Sequence, residues 1–318
     1  MKRFISIAVS VAILLIIYSK IDFQGLLGVF QNCDRPWMAI SLAMVVPITM
    51  FTSGRLQQLM PQEKSLGFIE ANRLILGASV LNMVLPSKMG DIAKAYFMRE
   101  RGHLSGSLSL SLVVFEKACD MLSLLFWCAL GLIFYPAKDG LFWTMTAAVV
   151  VGLILGLLLL GSRQFAQGFF GIARKLAPKK LSQKLNNLQI SWEEMHDYFW
   201  SDKGQLLKMA GSSIFIWFLH LLQIWLFILA LQAWTPFLSN LALSPMAILA
   251  GLLPLTFAGV GTRDAALIFF YQPYFDAPTG AALGLLCTSR YFLPAIVGLP
   301  FLGQMMGAVR NTKLRKKS

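Results

Sequence analysis

Three ionisable residues stand in the middle of an apolar run: Glu116, Lys117 and Asp120 interrupt SLVVFEKACDMLSLLFWC, residues 111–128. On a helix Glu116 and Asp120, four apart, share one face, and Lys117, three before Asp120, is within pairing reach. Each charge costs roughly 2.5–3.5 kcal/mol at the centre of a membrane helix. Two carboxylates this close in a low dielectric disfavour simultaneous ionisation, so the pair suits a proton carrier or a charge-balancing site. The plainer alternative is an ion network that only locks helices together, although apolar packing does that as well. Arg290 lies at similar depth in the last apolar run.

Two further sets sit where apolar stretches are broken by proline and glycine. LNMVLPSKMGDIAKAYF (81–97) carries Asn82, Pro86, Lys88, Gly90, Asp91 and Lys94, and GLLPLTFAGVGTRDAALIFF (251–270) carries Pro254, Gly259, Gly261, Arg263 and Asp264. A half-helix starting near Gly90 or Thr262 presents free N–H groups and the positive end of its dipole, which attract anions. Cations and helix N-termini facing carboxylates suit a phosphate-bearing or zwitterionic headgroup. An enzyme's toolkit is not in evidence. There is no G-x-S-x-G, H-E-x-x-H or P-loop, and Glu116 with Asp120 lacks an adjacent nucleophile. Cys33, Cys119, Cys128 and Cys287 are scattered without a C-x-x-C pair, and His103, His196 and His220 are dispersed. Neither a metal site nor a cofactor is expected.

The elements that must position these residues are membrane helices. The chain is 57% hydrophobic and 14% charged, with a mean hydropathy of +0.65. Apolar runs at about 4–20, 36–54, 106–135, 141–161, 206–233 and 279–308 approach or exceed the roughly 18–20 residues that cross a bilayer core. The N-terminal run has a basic start but no convincing cleavage site, so it reads as a span rather than a signal peptide. The broken stretches 66–100 and 241–276 read as re-entrant hairpins, whose irregular tips need protein or a polar cavity around them. Putting both termini in the cytoplasm places Lys and Arg overwhelmingly inside, leaving Lys20, Arg35 and Lys138 outside. The net charge of +13 is therefore read as orientation, not as a nucleic-acid surface.

The predicted fold is all-α and polytopic, with about six spanning helices plus two re-entrant hairpins in an inverted repeat. One transmembrane domain covers 1–318: an N-terminal span (1–35), a first repeat (36–135), a linking span and cytoplasmic loop (136–205), a second repeat (206–308) and a basic tail (309–318). In the loop, the periodicity of SQKLNNLQISWEEMHDYFW predicts an amphipathic helix on the cytoplasmic surface, its basic residues facing anionic lipid.

Three motifs in this order, N-x-x-x-P-x-x-x-G-D (Asn82, Pro86, Gly90, Asp91), E-K-x-x-D (Glu116, Lys117, Asp120) and P-x-x-x-x-G-x-G-x-R-D (Pro254, Gly259, Gly261, Arg263, Asp264), resemble the lysylphosphatidylglycerol synthase transmembrane family. That family includes the flippase half of the multiple peptide resistance factor. The resemblance spans nearly the whole chain. It implies a multi-pass plasma-membrane protein that moves a lipid headgroup between leaflets, with these residues near the path. The larger relatives make their lipid in a separate soluble domain, so synthase activity does not carry over. Asp264 stands where the family is expected to favour Glu, and Lys94 where Arg is usual, which puts the headgroup in doubt.

The leading expectation is thus a lipid flippase, not an enzyme. Its partners would be a membrane lipid as substrate and anionic lipid at the surface, with no nucleic acid and with self-association left open. A membrane-embedded transferase acting on a lipid phosphate and a scaffold for envelope enzymes are the alternatives.

Overall fold

The computed structural model describes residues 23–61, 66–84, 89–102, 104–252 and 261–315. The first apolar run (4–20) and Pro86, Lys88, Pro254 and Gly259 lie outside them. Every regular element described is a helix: α1 Phe23–Gln31, α2 Arg35–Ala43, α3 Val45–Leu59, α4 Phe68–Val84, α5 Met89–Gly102, α6 Gly106–Ile133, α7 Gly140–Gly161, α8 Arg163–Leu176, α9 Lys179–Ser201, α10 Lys203–Ala230, α11 Phe237–Leu252, α12 Thr262–Tyr271 and α13 Ala277–Arg315. Short polar side chains start many of them by accepting a free first-turn N–H. Asp34 takes Trp37 N, Ser105 takes Leu108 N, Asp139 takes Phe142 N, Ser162 takes Phe165 N and Asp202 takes Gln205 N.

Among the described residues, four segments are long and apolar enough to cross a membrane: 35–59, 140–161, 203–230 and 277–303. The helix α6 has the length, 28 residues, but carries three ionisable residues at its centre. On α7 the outward side is largely apolar, with Trp143, Val151, Ile154 and Leu157 all more than half exposed, as a lipid-facing helix requires.

Hydrogen bonds between junctions define the two ends of the bundle. At one end Gln205 Nε2 donates to the Gln58 carbonyl (2.9 Å), Gln57 Nε2 to Leu66 (2.7 Å) and Trp200 Nε1 to Gly161 (3.4 Å). At the other end Asp34 N donates to the Ala230 carbonyl at 2.8 Å. The helices α4 and α5 form an antiparallel pair whose open mouth faces the first end. There Phe97, Met98 and Leu104 share an apolar cluster with Leu56, Leu59 and Leu66. The pair α11 and α12 opens at the opposite end, where the Tyr271 hydroxyl donates to Asn240 Oδ1 (2.7 Å) and Ser244 Oγ donates to the same oxygen at 2.8 Å. At ten residues, α12 spans about 15 Å, half of a bilayer core.

Each long helix that follows a pair packs on the other pair's first arm. In α6, Gly131 lies under Ala242 of α11, and in α13, Gly298 lies under the Leu76 carbonyl of α4. Small residues at such crossings let backbones approach, the usual way helices associate without a hydrophobic driving force.

The helix containing 182–200, α9, packs one face on the bundle. Its Trp192, Met195 and Phe199 are buried against α6, where Phe199 stacks on Phe115 at 3.9 Å between ring centres. An apolar, aromatic stripe finds helix partners before it finds lipid. The outward-facing amphipathic element is α8.

A β-carbon at Gly131 would stand 2.3 Å from Ala242 N, and one at Gly298 would stand 2.2 Å from the Leu76 carbonyl oxygen. Gly131→Val and Gly298→Val should each destabilise by about 1–3 kcal/mol through overpacking. Gly168→Ala, at a position with open space around it, should not. Thermal unfolding of the detergent-solubilised protein, followed by circular dichroism, checks the contrast.

Candidate functional site

Halfway along α6, between the two apolar clusters, lies a layer of paired charge. Arg55, from α3, forks across the carboxylates that sit one turn apart. Its Nη2 donates to Glu116 Oε1 at 2.7 Å, its Nη1 to Asp120 Oδ1, and Nη1 also to Ser213 Oγ of α10 at 3.0 Å. Lys94 of α5 donates to Glu116 Oε2 at 2.6 Å and lies 3.7 Å from Asp91. Lys117 bridges Asp91 and Asp120, 3.5 Å from each. Trp217 Nε1 of α10 donates to Asp120 Oδ1 at 3.1 Å. Among the described residues three cations meet three carboxylates, so their formal charges cancel. The side chains of Arg55, Lys94 and Glu116 are 3–4% exposed, those of Asp91 and Asp120 15%, and that of Lys117 43%. Lys117 marks the side on which the network opens.

The two-carboxylate reading of the sequence changes accordingly. Glu116 and Asp120 do share a face, but the Arg55 guanidinium stands between them, and each has its own charge-assisted partners. Sequence reasoning treated Arg55 only as a loop charge. The signal was there: it is a lone arginine in a span that is otherwise uncharged between Arg35 and its end at Leu59.

The second set is separate. Arg263, at the start of α12, donates through Nη2 (2.8 Å) and Nε (3.2 Å) to its neighbour Asp264 and also to Thr288 Oγ1 of α13. Asp264 Oδ2 accepts the Gly261 N–H at 3.0 Å, capping α12. Gly261 has φ 99°, a left-handed conformation that suits glycine. Gly284 of α13 leaves room for Asp264, whose Oδ1 a β-carbon there would meet at 3.0 Å. In the first pair the corresponding turn is held by Asn82, whose Oδ1 accepts the Gly90 N–H at 2.9 Å. Asn82 therefore holds backbone, and the described residues show it making no contact with the charged layer.

Arg290 is the exception among the buried charges. It is 5% exposed, and its one described hydrogen bond is a long one, Nη1 to the His220 carbonyl at 3.4 Å. Its Nε has no partner, and among the described residues no carboxylate lies within 4.0 Å of it. The Tyr291 ring lies between the two arginines, 5.6 Å from the Arg290 guanidinium and 5.9 Å from that of Arg263. One turn of α10 connects Arg290 to the charged layer: Trp217 binds Asp120, and its ring lies 5.2 Å from that of His220, on whose carbonyl Arg290 rests. Ser213, Trp217, His220 and Thr288 were not anticipated, since single polar residues inside apolar runs carry no spacing signal.

A helical bundle of this size, apolar outside and carrying a neutral ion network at the depth of its spans, is an integral membrane protein. The chain belongs to the lysylphosphatidylglycerol synthase transmembrane-region family, whose model matches residues 3–298. It is also similar to the UPF0104 membrane protein MJ1595 of Methanocaldococcus jannaschii, with 23% identity over 326 aligned positions covering 93% of each chain.

Removing one partner of a buried ion pair costs about 3–5 kcal/mol, because a charge is left uncompensated. Arg55→Met should lose that much, and the double variant Arg55→Met/Asp120→Asn, which leaves Lys94 and Lys117 facing Glu116 and Asp91, should recover most of it. Recovery is read as a return of the thermal midpoint toward wild type. A double variant no better than Arg55→Met would refute the pairing.

Proposed function

We propose that this protein translocates a phosphate-bearing or zwitterionic lipid between membrane leaflets. The observation that carries the reading is the contrast between six network charges paired to neutrality and one buried guanidinium, Arg290, with no carboxylate beside it among the described residues. An unpaired cation at the depth of a bilayer is expensive and marks a functional site by default. A phosphate oxygen passing Arg290 would supply the missing anion through a charge-assisted, forked contact. The headgroup would travel between α10, α13 and the network while its tails stay in lipid. Membership of the family accords with a lipid substrate.

In this reading the α4–α5 and α11–α12 pairs are re-entrant hairpins entering from opposite faces, related as an inverted repeat. Supporting it are their opposed mouths and the reciprocal packing of α6 on α11 and α13 on α4. Arg99, Arg163, Arg174, Lys175, Lys203 and Lys208 gather toward one end, against Arg35 and Lys138 at the other, which supports a first end in the cytoplasm of a plasma membrane. Glu116 and Asp120 balance charge in the path rather than catalyse, and the protein acts as a transporter, not an enzyme.

Reconstitution in vesicles with fluorescent phospholipid, scored by dithionite quenching, tests this. Arg290→Ala should slow leaflet exchange about tenfold, or about 1.4 kcal/mol of barrier. Arg290→Lys should fall between, having charge without the planar fork. Unchanged exchange in Glu116→Gln/Arg290→Ala would sink the assignment.

A further inference from the structure

The loop between α7 and α10 has a polarity that the transport path does not use. From Arg163 to Lys184 the sequence holds six basic residues (Arg163, Arg174, Lys175, Lys179, Lys180 and Lys184) and no acidic one; the first acid is Glu193. The acids sit at the base of the α8–α9 hairpin, where Asp197 pairs with Arg163 at 3.1 Å and Glu193 accepts from Gln167 and Gln189. Those two amides, each donating to Glu193, hold its carboxyl below the usual carboxylate range. The tip of the hairpin has no acid in its sequence: Arg174 donates to the Asn186 amide oxygen at 2.7 Å, and Lys175 points outward.

Beside this charge runs an apolar stripe. Phe169, Ile172 and Leu176 follow at helical spacing on one face of α8, with exposures of 48, 63 and 82%. The other face is used: Ala166 is fully buried in the cluster containing Trp192, Met195 and Phe199. Leu181, Leu188 and Ile190 add further exposed apolar surface on α9. Position argues for the occupant. The apolar span α7 ends at Gly161 and α8 begins two residues later, capped by Ser162. No linker separates them, so α8 starts at the membrane edge.

We propose that α8 and the α8–α9 tip form a binding surface for the anionic headgroup layer of the adjacent leaflet, with Phe169, Ile172 and Leu176 in the acyl boundary and the basic residues at the headgroups. An exposed stripe of large apolar side chains in a segment rich in Lys and Arg and without acidic residues fits an interfacial helix, and polybasic segments at this position are drawn to anionic lipid. Docking also steadies the layer above the site, since α9 carries Phe199 onto Phe115, next to Glu116.

The test is amide hydrogen exchange of the full chain in vesicles of phosphatidylcholine alone and of phosphatidylcholine with about one third phosphatidylglycerol, a fraction that makes the surface negative. Peptides covering 165–185 should be protected at least about tenfold more in the anionic vesicles. Arg174→Glu/Lys175→Glu should abolish that difference, and so should high salt. Both positions lie at the hairpin tip, away from the buried layer, and an unchanged thermal midpoint confirms that the variant folds. Equal protection in both vesicles would overturn the proposal, as would protection that follows protein density rather than lipid charge, which would indicate a second copy of the chain. The readout requires no transport, so it succeeds or fails independently of the translocation reading.

Discussion

Arg55 is the residue on which the centre of this molecule depends. A planar guanidinium can satisfy two carboxylates one helical turn apart, each through its own nitrogen, and a lysine cannot. Without it, Glu116 and Asp120 would face each other across a few ångströms of low-dielectric interior. With it, Lys94 is free to hold the outer oxygen of Glu116, and Lys117 can span Asp91 and Asp120. Four elements, α3, α5, α6 and α10, are thereby tied at one level by charge rather than by packing. Apolar residues of the same volume often give as much stability, so the network is better explained by what it places than by what it stabilises.

What it places is a polar layer between two apolar cores. One core gathers at the end where α4 and α5 open, with Leu56, Met98, Leu112 and Phe199; the other gathers where α11 and α12 open, with Phe227, Leu241, Leu267 and Tyr271. The fully satisfied Asn240–Ser244–Tyr271 triad fixes the second pair at its mouth, with Asn240 Nδ2 anchored on the Leu221 carbonyl.

The helical class and the apolar segments at 35–59, 140–161, 203–230 and 277–303 were legible because lipid imposes length and apolarity on each element independently. The E-K-x-x-D group was legible because three charges in oil violate composition locally. Arg55 was not, since near a helix end an arginine reads as an ordinary loop charge, and only the tertiary fold brings its guanidinium to Asp120. For α9 the packing partner was not legible. Its periodicity was correct, but periodicity reports an apolar face without saying whether lipid or protein covers it. The hairpin tips at Pro86, Lys88, Pro254 and Gly259 fall outside the described residues, so their part in the site rests on sequence alone.

Arg263 and Arg290 make an internal comparison that bears on function. Both are about 95% buried, both approach the Tyr291 ring, and both lie at the junction of α13 with its neighbours. Arg263 has a carboxylate supplied by the next residue and a threonine from α13, which is how a chain pays for a charge it must bury. Arg290 has a distant carbonyl and a bare Nε. Four residues on, Pro294 has no N–H to give the Arg290 carbonyl, so the helical ladder is also open at that point. A purely structural arginine in this position would gain from a partner, and a leucine would do as well without one. Retaining an uncompensated guanidinium beside an open ladder makes sense when the counter-ion arrives from outside the chain, and in a membrane interior an amphiphile is the anion that can reach it.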